Sequence, residues 1–330
     1  MESQMQECEA MIELVRNYVQ AIRLRSLLPT KKQQKSLEDD DPCAVEDEVV
    51  HHIPLEIILP QFPNLLEIRI TFGLIYMDDG FQWRDFQFSV EDCTGLGKGI
   101  KGCKMLKRFV LSRSNLDQPR AAALLQGMVQ NHSLEELDFS HCKLGDKGAH
   151  AVGEFLSMHV ALKVLHLTNN DIGPSGVAGV IYGLLKKERT ILKRLDLRLN
   201  PILDAGAAHV CAYLVRTDSL EVLNISGCGI RSEGGAALVE VLKSGCVEFE
   251  SLDLDVSNND FGEAVGEAFE AALKSAPFIV GFDARMCNFS GQSDYSIYES
   301  RLRNKERRDK EVAGRMLDRM ASVQKLIAIM

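Results

Sequence analysis

Nine cysteines, eight histidines and one glycine-rich run are the features of this chain with the means to do chemistry. Thiolates attack and ligate, imidazoles move protons and bind metals, and glycine-rich turns cradle phosphate. Each use demands a spacing. The chain has no C-x-x-C pair, no G-x-x-x-x-G-K-[ST] and no H-E-x-x-H, and its histidines form no ligand cluster along the sequence. The run GLGKGIKG from Gly95 follows no apolar strand, so it reads as the beginning of a helix rather than a phosphate loop. No catalytic residue, metal or cofactor is therefore expected.

Three of the cysteines, Cys142, Cys228 and Cys287, share one slot in a repeated pattern, L-x-x-L-x-L-x-x-N/C-x-L. The clearest copy is Leu162, Leu165, Leu167, Asn170 and Ile172. Others begin at Leu106, Leu134, Leu192, Leu220, Phe249 and Ile279, so successive copies start 28, 28, 30, 28, 29 and 30 residues apart. This is a leucine-rich repeat of the long type, each unit holding a strand and a helix. Alternating apolar residues make a strand with leucines inward, while Asn170 and Asn200 bond backbone groups where the chain turns. In that slot a cysteine is a small buried residue with a weak S–H donor, and nothing nearby marks an activated thiol. Glycine- and alanine-rich stretches after each turn, such as GDKGAHAVGEFLSM from Gly145, supply helices that can lie close together. One unit cannot bury its own apolar face, so copies stack.

The expected fold is an α/β leucine-rich-repeat solenoid: a curved horseshoe with parallel strands concave, helices convex, and helical N- and C-terminal extensions. The residues flanking the inward leucines would face the concave side. The candidate protein-binding set is drawn from them: Arg108, Glu136, Asp138, His166, Arg194, Asp196, Arg198 and Asn224. With strands about 4.8 Å apart, seven copies would present a face about 30 Å long, suited to a protein or peptide rather than a small molecule. Its mixed signs leave two readings open, internal pairing and partner recognition. In the sixth copy Asp255 and Val256 are read as pushing Asn259 two residues late, which would interrupt the face there.

Composition sets outer bounds. A chain of 330 residues with 45% hydrophobic content can build a large core, and a net charge of −9 argues against general nucleic-acid binding. The odd, scattered cysteines fit a reduced intracellular protein. The start MESQMQECEAMIELV is not a signal peptide, and no window of 18 uninterrupted apolar residues suggests a membrane span.

Five segments are expected. Residues 1–29 read as an amphipathic helix on the spacing of Cys8, Ile12, Val15, Val19 and Ile22, stopped by Pro29. Residues 30–48 are a charged linker, basic then acidic. Residues 49–104 are a pre-repeat capping module, with strand spacing at Leu65, Ile68 and Ile70 and an aromatic insertion holding Phe81, Trp83, Phe86 and Phe88. Residues 105–291 are the repeat array. Residues 292–330 are a helical tail with an apolar stripe at Val312, Met316, Met320, Val323 and Ile327, read as a cap on the array or a face for a partner helix.

The combination FPNLLEIRITFG, then FQWRDFQFSVEDCTGLGKGIKGCKMLKRFVLSRSNLD, then SLEELDFSHCKLGDKGAHAV and LKRLDLRLNPILDAGAAHV resembles the dynein regulatory complex subunit 5 family, also called t-complex-associated testis-expressed proteins. The likeness covers Val49 to Phe261, and the aromatic element before the repeats is its discriminating part. It implies a non-enzymatic scaffold of the nexin link in the cytoskeleton of a cilium or flagellum, where doublets are tethered and dynein-driven sliding is restrained. The partners implied are other dynein regulatory complex subunits, helical or coiled-coil, with axonemal dynein or tubulin nearby, and neither nucleic acid nor membrane. Two rivals stand beside it: a Ran GTPase-activating-protein-like regulator, which shares the repeat length but carries an acidic stretch after its array, and a ribonuclease-inhibitor-like cytosolic binder.

Overall fold

The L-x-x-L-x-L segments become strands because alternation puts every second residue on one face, where it can be buried against the following helix. The computed structural model describes residues 11–27, 54–72, 88–187, 190–244 and 249–329. Its chain falls into two compact units, Met1–Asp171 and Ile172–Met330.

The first unit carries strands β1 (Ala21–Leu27), β2 (Glu67–Phe72), β3 (Arg108–Ser112), β4 (Glu136–Asp138) and β5 (Val164–His166), all parallel and paired in sequence order. Their inward residues stack in register, Ile68 on Phe109, Phe109 on Leu137 and Leu137 on Leu165, each fully buried. The helices are α1 (Leu55–Ile58), α2 (Val90–Gly102), α3 (Gln118–Met128) and α4 (Gly145–Met158). Helix α2 starts on a capping box in which Ser89 accepts from the Asp92 N–H and Asp92 accepts from the Ser89 N–H. The glycine-rich run therefore lies inside α2, not at its beginning, and it serves packing. A Cβ on Gly97 would sit 2.5 Å from the Leu124 carbonyl oxygen, and one on Gly127 would sit 2.6 Å from the Gly97 carbonyl carbon. Those two glycines let α2 and α3 touch backbone to backbone.

The N-terminal reading is corrected. Residues 11–15 are helical, but Ala21–Leu27 is a strand, paired in parallel with β2. Ile22 and Leu24 alternate with the exposed Arg23 and Arg25, a period of two within a stretch whose wider spacing also fits a helix. Tertiary context decides between them: an extended chain can add a backbone ladder to the edge of β2, and Arg23 then reaches Glu67 at 3.2 Å. The linker expected over 30–48 lies outside the described residues, as do Cys8, Phe81, Trp83 and Phe86. Phe88 is described and buried, and its carbonyl accepts from Arg120 Nε at 2.7 Å.

The second unit carries β6 (Arg194–Asp196), β7 (Val222–Asn224), β8 (Leu252–Asp255) and β9 (Ile279–Asp283), again parallel and in sequence order. Its helices are α5 (Pro174–Leu185), α6 (Leu203–Leu214), α7 (Ser232–Lys243), α8 (Glu263–Ser275) and α9 (Gly291–Ile329). Here the alignment of the sixth copy is corrected. Leu254 pairs with Leu223 and Asp255 with Asn224, so Val256, buried, takes the third leucine's place and Asn259 stands on time. The irregularity lies earlier, in a register shift between Leu252 and Asp253 against β9. In the last copies phenylalanine replaces leucine, and Phe269 packs against Phe261, Phe282 and Phe289 with ring centroids 5.8, 5.1 and 6.1 Å away.

Helix α9 closes this unit with its first half. Ser293, Ile297 and Ser300 are buried, and Asn304 Nδ2 donates to the Leu273 and Ala276 carbonyls at 3.2 and 3.3 Å. Further on, Arg308 and Arg315 both donate to Glu250 Oε1, at 2.8 and 2.7 Å. Met316 and Met320 of the expected apolar stripe are exposed, while the side chains of Val323 and Ile327 lie outside the described residues. The hydrogen bond from Arg308, then that from Arg315, holds the Glu250 carboxyl down at about 2. A depressed carboxylate contributes stability above its unfolded value and loses it as pH falls through the folded value, so this clamp persists until the pH approaches about 2. Substituting Glu250→Gln removes it at every pH. Hydrogen exchange should then speed up over residues 304–316 at neutral pH and stay unchanged in β6 and β7.

Candidate protein-binding face

The outward side chains of neighbouring strands meet because the strands pair without stagger. In the first unit, Arg108 lies opposite Glu136, and Asp138 lies opposite His166. Arg108 Nε is 2.9 Å from Glu136 Oε1 but off the N–H axis, so the contact is an ion pair rather than an aligned hydrogen bond. His166 Nε2 is 3.9 Å from the same oxygen. The four candidates of this unit thus form one cluster.

In the second unit Arg194 is exposed opposite Val222, and Asp196 lies opposite Asn224. Asp196 is buried, which corrects its reading as a solvent-facing residue. Its Oδ1 accepts from the Arg198 N–H at 3.2 Å, and Arg198 Nε stands 3.5 Å from its other oxygen. Asn224 donates to Asp255 Oδ2 at 2.9 Å and accepts from the Ser226 N–H at 3.0 Å. The same turn recurs at Asp138 with Ser140, Asp255 with Ser257 and Asp283 with Arg285. These carboxylates spend one oxygen on the backbone two residues ahead and leave the other for a neighbour or a partner, while the Asn224 amide spends its oxygen there and leaves its NH2 to donate.

Sequence reasoning missed two features of this face. Asp253, Asp255 and Asp283 belong to the outward rows of the second unit; the alternation about Leu252, Leu254 and Phe282 marks all three, and the candidate set stopped at the copy before them. At the strand entrances, Glu135 accepts from Lys107 and Lys163 at 2.7 Å each, and those two bonds hold its carboxyl below the usual range. Lys193 and Glu221 pair in the same position. The signal was the sign alternation at one slot of copies 28 residues apart, Lys107, Glu135 and Lys163.

Nothing in this arrangement activates a nucleophile. Cys142, Cys228 and Cys287 donate S–H to the Leu111, Leu197 and Val256 carbonyls at 3.1, 3.4 and 3.2 Å. Burial pushes the Cys142 and Cys228 thiols up to about 12 and Cys287 to about 11, so all three stay protonated near neutral pH. They tie one turn to the preceding copy, as Asn170 does by donating to the Phe139 carbonyl and accepting from the Cys142 N–H, both at 2.8 Å. Among the described residues, no group of His, Cys, Asp or Glu is placed to hold a metal ion.

A family model described as a leucine-rich repeat matches residues 130–153, 161–180 and 219–239, each spanning parts of the strand–turn–helix units described above. The repeats are leucine-rich repeats. The chain is 31% identical to dynein regulatory complex subunit 5 of Mus musculus across 150 residues, which is 44% of this chain and 30% of that protein. The Homo sapiens protein of the same name is 30% identical over 145 residues, 42% of this chain and 29% of that one. Ribonuclease inhibitor of Sus scrofa is 27% identical over 168 residues, 50% of this chain and 36% of that one. The chain thus spans about a third of the length of each of these relatives.

Proposed function

We propose that this chain is a non-enzymatic interaction subunit of the dynein regulatory complex, held in the ciliary or flagellar axoneme and contacting other subunits through the outward rows of its repeats. The similarity to dynein regulatory complex subunit 5 carries the reading. The mixed polar groups of the face support it, with Arg108, Glu136 and His166 in one cluster, Asp196 beside Arg198, Asn224 bonded to Asp255 and Arg194 exposed: such a face offers many weak polar contacts to a protein surface. Helical or coiled-coil subunits are the fitting partners, with axonemal dynein or tubulin as neighbours, and the role is tethering of doublets and restraint of sliding.

Fractionation tests this. A tagged chain expressed in ciliated cells should remain with demembranated axonemes at physiological salt and leave only at high salt. Release with the soluble matrix would sink the axonemal reading and favour a soluble binder, the reading to which the ribonuclease inhibitor similarity points.

A further inference from the structure

Helix α9 has a second face that its own unit leaves bare. Tyr295, Tyr298, Leu302, Lys305, Asp309, Val312 and Met316 follow one another at steps of 3, 4, 3, 4, 3 and 4 residues, the a/d spacing of a coiled-coil seam. At about 100° per residue this row lies roughly a third of a turn from Ser293, Ile297, Ser300 and Asn304, the side packed on the unit. Its tyrosines, Leu302 and Met316 are exposed, from 42% at Leu302 to 62% at Met316, and Val312 is half-buried. Contacts along the helix do not cover them: Arg301 stands over the Tyr298 ring, 5.1 Å from its centroid, and the Tyr295 hydroxyl donates to Glu299 Oε1 at 2.8 Å. From Tyr295 to the exposed Met320 the helix runs about 39 Å, more than three heptads.

Two charges interrupt the row, and they say what covers it. Lys305 and Asp309 are exposed and make no ion pair with a described residue, while the charges around them are paired: Arg307 and Arg308 with Glu311, Arg308 and Arg315 with Glu250. A seam position is shielded from water once a second helix lies on it, so an uncompensated charge there is costly and selects direction and register. In a parallel pair of α9 helices Lys305 would meet Lys305 and Asp309 would meet Asp309. In an antiparallel pair centred on Arg307, each Lys305 meets Asp309 of the other copy. The same centring sets Leu302 against Val312 and Tyr298 against Met316, because the members of each pair stand equally far on either side of residue 307. Sliding the pair by one heptad either way sets both charges against apolar residues. Beside the seam Arg308 would face its own copy, but Glu250 and Glu311 already hold it. The two Glu306 side chains would also approach each other, at the exposed rim where repulsion is small.

We propose that α9 is a dimerisation helix whose exposed row packs antiparallel on the same row of a second copy of this chain, with Lys305 of each copy paired to Asp309 of the other. Such an interface uses one surface twice and closes on two copies. The inference stands on this helix's own pattern and holds whether or not the chain is axonemal. Sedimentation equilibrium of the full chain tests it, and the expected result is a monomer–dimer equilibrium with Kd below about 100 µM. Lys305→Glu sets a glutamate against Asp309, and Asp309→Lys sets a lysine against Lys305, so each variant alone should dimerise at least about tenfold more weakly. Mixed in equal amounts, the two variants bring opposite charges to both contacts, and association should return to within about threefold of the wild type. That rescue also shows that both variants fold. A wild-type chain still monomeric at about 100 µM would overturn the proposal. So would a dimer that neither substitution weakens, the result for a parallel pair or another face, or a mixture that associates no better than its separate components.

Discussion

Replacing Asn259 with alanine should destabilise the chain by roughly 3–5 kcal/mol, read as a lowered urea midpoint with an unchanged slope. The side chain is buried and fully used. Its Oδ1 accepts from the Cys228 and Ile230 N–H groups, both at 3.1 Å, and its Nδ2 donates to the Ile225 and Val256 carbonyls at 3.0 and 2.8 Å. Alanine leaves two buried N–H groups without acceptors, each costing about 1–3 kcal/mol. Asn259→Asp separates the two halves of the effect: it keeps the acceptor, loses the donor and buries a charge, so it should also destabilise, and more at neutral than at acidic pH. An Asn259→Ala variant within about 1 kcal/mol of the wild type would mean that the turn is held by its backbone bonds alone.

The other large loss is expected for Phe269→Ala, at about 3–5 kcal/mol. The ring is fully buried between the rings of Phe261, Phe282 and Phe289, so truncation forfeits the area and leaves a hole that neighbouring rings cannot collapse to fill. Because a repeat array draws its stability from each copy and its immediate neighbours, the damage should be local. Hydrogen exchange should accelerate in β9 and the first half of α9 well before it does in β6. Phe269→Leu, which keeps most of the volume, should cost clearly less. Equal losses for the two variants would point to a specific role for the aromatic contacts.

The outward face shows where one-dimensional reasoning stops. Arg108, Glu136, Asp138 and His166 are legible as outward residues from alternation alone, and strand pairing is what brings them together. Asp196 has the same alternation but is buried, because its oxygens are drawn onto the Arg198 backbone and side chain. Alternation assigns a face; it does not say how far a short side chain on that face folds back onto the chain. The ladder of Lys107, Glu135 and Lys163 needed comparison between copies rather than within one.

Leucine spacing determines the positions of β3 to β7 and the helices between them, since a period near 28 with inward leucines leaves one economical way to bury every unit. It also assigns Cys142, Cys228 and Cys287 to buried turns, because the slot they share is the slot of Asn170 and Asn200. Ala21–Leu27 is different: its apolar residues satisfy both a helical and an extended spacing, and only the edge of β2, contributed by residues more than 40 positions away, makes the strand the better choice. The same holds for the sixth copy, where two frames of leucines compete and the pairing of Leu254 with Leu223 selects one. Local periodicity suffices where one pattern is present. Where two are superimposed, the choice belongs to backbone hydrogen bonds with a distant strand, and those exist only once the chain has folded.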